Sequence, residues 1–153
     1  MEKGAWAGFG ACVPDNFIGG GGLAESKSVM CDNVTLTRTD KELTADDYTF
    51  SEHLLTIKTA GKYTLSGTAS SNDFRVKVGE KVGEKASRIQ TTLTIENLTI
   101  NTYRDEKKEE AKQGYSPLDF SEAGETTLTL VGANHLTARG NNPAVFAPWV
   151  NSG

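Results

Sequence analysis

The chain has 153 residues, 37% of them hydrophobic, and 16 basic against 20 acidic side chains give it a net charge of −4. A single domain of this length can bury a core. The acidic balance excludes the dominant basic patch that a nucleic-acid binder needs, and no stretch approaches the roughly 20 apolar residues of a membrane span.

Residues 1–32 read as an irregular segment or cap, with four consecutive glycines at 19–22 that give flexible chain. The stretch from Gly4 to Val13 has no basic region before it and does not read as a leader. Cys12 and Cys31 are too few for a disulfide framework. Paired, they would close a short loop and contribute about 3 kcal/mol, and the spacing alone leaves that pairing open.

Residues 33–153 read as all-β. Long helical runs of Ala, Leu, Glu and Lys are absent, and threonine, which suits strands with one buried face, recurs throughout. Val34 and Leu36 alternate with Thr35 and Thr37 as a first strand, and Leu55 and Ile57 alternate with Thr56 and Lys58 as a second. Tyr63 and Leu65 carry a third up to Gly67. Phe74, Val76 and Val78 form a fourth, with Arg75 and Lys77 on its other face. The duplicated Val-Gly-Glu-Lys at 78–85 opens a polar insertion at 79–90, expected to be a solvated loop.

Two later blocks, TTLTIENLTINTY at 91–103 and TTLTLVGANHLTARG at 126–140, both begin Thr-Thr-Leu-Thr, and they start 35 residues apart. Between them lies a second insertion at 104–114, an 11-residue polar run whose charges cancel. Without it the spacing is about 24 residues, within the periods of strand solenoids. In the first block the alternation of Leu93 and Ile95 breaks at Glu96-Asn97 and resumes at Leu98 and Ile100 in the opposite phase. A phase change swaps the faces of a strand, so the chain must bend there, and Asn tolerates the left-handed backbone of a bend. The second block repeats this around Asn134. Strand, corner, strand predicts a right-handed single-stranded parallel β-helix, or part of one, with Leu and Ile columns inside and threonine hydroxyl ladders outside. The alternative is a β-sandwich, which short threonine-rich strands also build.

Tyr63-Thr64-Leu65-Ser66-Gly67, Ser116-Pro117-Leu118 and Gly132-Ala133-Asn134-His135-Leu136-Thr137 carry a resemblance to the bacterial carbohydrate-binding-domain proteins with a right-handed, pectate-lyase-like parallel β-helix. The resemblance covers about 55–148 and implies an extracellular or cell-surface module that binds polysaccharide, acidic plant polymers included, with calcium and without lyase activity. Similar rungs occur in surface stalks, so a structural or adhesive module with no ligand of its own is the rival function, and a polysaccharide lyase-like enzyme is a third.

The residues offer candidates for each role. Tyr103 and Tyr115 flank the 104–114 insertion beside Arg104 and could present a sugar platform. Arg75, Lys77 and Arg88 lie in the only locally cationic stretch and could meet uronates through charge and bidentate contacts. Calcium takes six to eight oxygens, mostly carboxylate, and stacking of rungs could bring Asp119 and Glu122 to Asp73. His53 and His135 have no Ser/His/Asp signature around them, so no enzyme is expected. The apolar segment running up to Asn151 reads as a broken rung, and its open edge is expected to meet further rungs or another copy.

Overall fold

A computed structural model describes residues 12–14, 28–102, 116–138 and 143–147. It is all-β, with no helix among the described residues. Strands β2 (Ser28–Cys31) and β3 (Val34–Arg38) are an antiparallel hairpin. Its turn is Asp32-Asn33, both at positive φ (50° and 68°), the two-residue turn whose twist suits a hairpin. Strands β4 (Tyr48–Ser51) and β5 (Leu54–Ile57) repeat the device with Glu52-His53 at φ 52° and 65°. The short β1 (Val13–Pro14) pairs antiparallel with β2, and Cys12 is disulfide-bonded to Cys31. Part of the segment expected to be irregular is therefore strand, and the pairing that the cysteine spacing left open is formed.

From β5 onward the strands alternate between two sheets. The first sheet receives β6 (Gly61–Thr68), β10 (Thr91–Asn101), β12 (Thr126–Val131) and β13 (His135–Thr137). The second receives β7 (Arg75–Val78), β11 (Leu118–Asp119) and β14 (Val145–Phe146). Both sheets are mixed. β6, β10 and β12 run parallel, as do β5, β7, β11 and β14, while at one end the antiparallel β1, β2 and β3 complete the first sheet and the antiparallel β4 completes the second. The parallel ladders are not those of an antiparallel sandwich.

The register explains the repeat. Thr91 pairs with Thr126 and Leu93 with Leu128, so the two Thr-Thr-Leu-Thr copies are in-register neighbours. Identical pairs place identical side chains on the same face, and columns result. Leu36, Leu65, Ile95 and Leu130 form one, and Arg38, Tyr63, Leu93 and Leu128 another. In the second sheet Phe50, Leu55, Val76, Leu118 and Val145 form a third. The inward residues of both sheets make one core, and each fully buried Leu or Ile contributes roughly 1.5–3 kcal/mol.

The phase change at Glu96-Asn97 is a bulge inside one continuous strand. The register of β10 against β6 shifts between Glu96 and Leu98, and Asn97 has φ 48°. On the neighbouring strand the chain breaks instead, between β12 and β13, with Gly132 at φ 73°. Two asparagines join the layers there. Asn134 Oδ1 accepts from the Leu98 amide at 2.8 Å, and its Nδ2 donates to the carbonyls of Ile95 and Val131, both at 3.2 Å. Asn97 Oδ1 accepts from the Ala133 amide at 3.0 Å. A Cβ on Gly132 would collide with the Asn97 carboxamide, so the corner needs glycine for space as well as for backbone conformation.

Part of the 79–90 insertion, expected to be a loop, is a small hairpin of β8 (Lys81–Val82) and β9 (Lys85–Ala86) turning at Gly83, exposed as expected. The 104–114 insertion lies outside the described residues.

Candidate functional site

The starts of β6, β10 and β12 lie side by side because Gly61, Thr91 and Thr126 are register partners. The residues just before and within these starts line an open groove of about 290 Å³, with Asp40, Lys62, Gln90, Thr92, Glu125 and Thr127 as its polar walls. Gln90 Nε2 donates to Glu125 Oε1 at 3.0 Å, tying one carboxylate to an amide. Thr91 also lines the groove; it is 4% exposed, and its buried hydroxyl has no hydrogen-bond partner among the described residues.

Beneath Gly61 lies a buried charged network. Arg38 is the last inward position of β3, so the period-two alternation that buries Val34 and Leu36 also buries its guanidinium. Nε meets Asp40 Oδ1 at 2.8 Å, Nη1 meets Asp47 Oδ1 at 2.9 Å, and Nη2 donates to the Ala60 carbonyl at 2.8 Å. The guanidinium stands over the Tyr63 ring, 5.1 Å from its centroid, close enough for cation–π attraction. Thr59 donates its hydroxyl to Asp47 Oδ1 at 2.8 Å, and the Tyr63 hydroxyl donates to the Thr59 carbonyl at 3.1 Å. A Cβ on Gly61 would sit 2.5 Å from Arg38 Nη2, so glycine lets the strand pass over the charge.

These contacts set the titration of the group. The hydrogen bond from Arg38 holds the Asp40 carboxyl down at about 2. Burial pushes Asp47 up, but the Thr44 amide, the Thr59 hydroxyl and the Arg38 guanidinium outweigh it and leave the carboxyl below its ordinary value. The hydrogen bond to Asp40 pushes Arg38 up against its burial, and burial pushes the Tyr63 phenol up. The network is therefore ionised and internally satisfied. It shapes the floor of the groove and leaves little free charge there.

Outward from the groove the first sheet carries a row of hydroxyls. Ser28 pairs with Thr37, Thr37 with Thr64, Thr64 with Thr94, and Thr94 with Thr129, one residue per strand across five strands. Beside it run Lys62, Thr92 and Thr127, which also line the groove. The hydroxyl ladder expected from the alternation is present.

The candidate residues named from the sequence lie elsewhere or outside the described region. Arg75 and Lys77 are on the outward face of β7, in the second sheet. Arg75 Nη1 donates to the carbonyls of Glu52 and Asp73, both at 3.0 Å, and Lys77 Nζ pairs with Glu122 Oε1 at 3.0 Å. Arg88 sits at φ 51° on the approach to β10, where its amide donates to the Glu122 carbonyl at 3.1 Å. Asp119 Oδ1 accepts from the Ser121 amide at 2.8 Å and lies beside Lys77 across the β7–β11 ladder. Glu122 is paired with a lysine, and no three His, Cys, Asp or Glu side chains among the described residues stand together as a metal set. Tyr103, Arg104 and Tyr115 lie outside the described residues. His53 Nδ1 is 2.6 Å from Asp32 Oδ2, linking the tips of the β2–β3 and β4–β5 hairpins.

Sequence reasoning missed the Arg38 network and the groove. One signal was available: Arg38 continues the phase of Val34 and Leu36, a charged side chain at an inward position. No protein-family model, curated protein or solved structure matches the chain.

Proposed function

We propose that the chain is a non-catalytic polysaccharide-binding module of a secreted or surface protein of a bacterium, built as a right-handed parallel β-helix of the kind it resembles. The alternation of parallel strands between two sheets supports the helical reading: each return to a sheet adds a neighbour in register with the last. The antiparallel strands β3 and β4 act as its cap. A disulfide fits an oxidising compartment and so supports an extracellular location.

The observation that carries the function is the open groove walled by hydroxyl, amide and carboxylate groups and continuous with the threonine face. Such a surface offers many donors and acceptors, suiting a polymer that is itself a string of hydroxyls. Affinity electrophoresis through gels containing soluble polysaccharides, with and without calcium, tests it. Retarded migration in at least one polymer is expected; free migration in every gel under both conditions refutes it. Release of unsaturated uronate products, read as ultraviolet absorbance, would make the chain a lyase instead. The rival reading, a stalk module, is favoured by Leu130, an inward-column residue left 63% exposed where a further rung would stack.

A further inference from the structure

Resting on the polysaccharide reading, we infer that this face takes an uncharged glycan, lying across the strands along the row of Thr64, Thr94 and Thr129, with the groove running along one side of its track. The three residues occupy the same position on three adjacent parallel strands. Strand spacing sets their hydroxyls about 4.8 Å apart, close to the length of one sugar residue in an extended chain. The second row, Lys62, Thr92 and Thr127, lies two residues away along the strands, roughly 6.6 Å. A chain crossing the strands thus meets one threonine per sugar on one side, and a lysine and two threonines on the other.

The chemistry of the face matches a neutral chain. The side chains of Thr64, Thr94 and Thr129 are half-buried or exposed, and their hydroxyls, like those of Thr92 and Thr127, make no hydrogen bond among the described residues. Each can donate and accept, and each adds a methyl for the apolar face of a sugar ring. Threonine is stiff about χ1, so little freedom is lost on binding.

Charge argues against an acidic polymer here. Of the two carboxylates in the groove, Asp40 is held by Arg38 and Glu125 by Gln90. Glu96 stands in the adjoining outward position of β10, and Lys62 is the one cation among the described residues that line the groove. The cations that would attract uronates, Arg75 and Lys77, are in the other sheet. A polyuronate along the threonine rows would meet hydroxyls, one ammonium and nearby carboxylates, a poor counterpart to a charge on every sugar.

The test compares wild type with Thr64→Val/Thr94→Val/Thr129→Val, which keeps shape and strand preference but removes three hydroxyls. Hydroxyethylcellulose, xylan and galactomannan serve as neutral polymers and polygalacturonate as the acidic one, with circular dichroism confirming the fold of each variant. Retention of wild type by a neutral polymer is expected, weakened about tenfold or more in the triple variant. Thr129→Val alone, on the outermost strand where refolding is least at risk, is expected to show a smaller loss. Retention by polygalacturonate alone overturns this inference while the polysaccharide reading stands. Undiminished retention of the triple variant by a neutral polymer also overturns it. No retention by any polymer overturns both.

Discussion

At the scale of single residues, Arg38 shows how one strand position shapes a surface. It is 3% exposed and faces Asp47, itself 5% exposed. Two charges out of water are tolerable only when each satisfies the other, and removing one leaves the other stranded. Arg38→Met is therefore expected to cost about 3–5 kcal/mol in chemical denaturation. Adding Asp47→Leu should recover part of that loss, because no buried carboxylate then remains unpaired. A loss below about 1 kcal/mol for Arg38→Met would show that the pair is not what holds this end together. The same contacts make stability depend on acid. A carboxyl held below its unfolded value binds fewer protons folded than unfolded, so protonation favours the unfolded chain. With Asp40 at about 2 and Asp47 also lowered, the contribution is fully present above pH about 4 and is lost as pH falls from there toward 2. Denaturation midpoints measured across that window should fall, and should fall less in Asp40→Asn. An unchanged slope in that variant would remove Asp40 from the account.

At the scale of elements, the asparagine corner couples neighbouring strands where both depart from regular pairing. β10 bulges at Asn97 and β12 ends at Val131, so the Leu98 amide has no ladder carbonyl opposite it and takes Asn134 Oδ1 instead. Asn134→Ala leaves that amide unpaired and is expected to cost about 1–3 kcal/mol. Asn134→Asp keeps the acceptor but turns a carboxylate oxygen toward the Ile95 carbonyl, so it should destabilise too. Equal stability of both variants with wild type, by urea denaturation, would mean that water serves the corner as well as asparagine does. The break here was legible in the sequence because a phase change in a period-two pattern demands a departure from regular pairing, although the expected corner at Glu96-Asn97 is a bulge within β10 that keeps Leu98 and Ile100 on the buried face. The strand cores were legible for the same reason, and the neighbour relation of β10 and β12 because Thr-Thr-Leu-Thr recurs. Which strand closes each sheet was not. Val34-x-Leu36 alternates whether it pairs parallel or antiparallel, and only contact with Leu65, far along the chain, decides. The groove was hidden likewise: Asp40, Gln90 and Glu125 have no local pattern in common and meet only through the register of three strands. Arg38 announced itself by position, but its partners Asp40, Asp47 and Thr59 come from separate turns.

At the scale of the whole molecule, the two ends of the sheets differ. At one end the antiparallel β1–β3 complete the first sheet and the antiparallel β4 the second, and the disulfide ties β2 to the residue before β1. At the other, β12 is the outermost strand of the first sheet and β14 of the second. Leu130 heads the column of Leu36, Leu65 and Ile95 yet is 63% exposed, and Val131 of the same strand and Phe146 of β14 are also exposed at 41% and 40%. The strand from Thr126 to Val131 has no charge, proline or bulge, the devices by which a free edge avoids pairing. Among the described residues its outer amides and carbonyls have no ladder partner, so with its apolar column end they should recruit another strand, and a second copy of the chain is available at any concentration. We expect sedimentation velocity to show association that grows with concentration. Leu130→Lys places a charge at the centre of the contact and should return the protein to monomer. Because Leu130 is mostly exposed in the single chain, the same change should move its unfolding free energy by no more than about 0.5 kcal/mol. A wild type that stays monomeric at high concentration would show that this edge is satisfied without a partner strand.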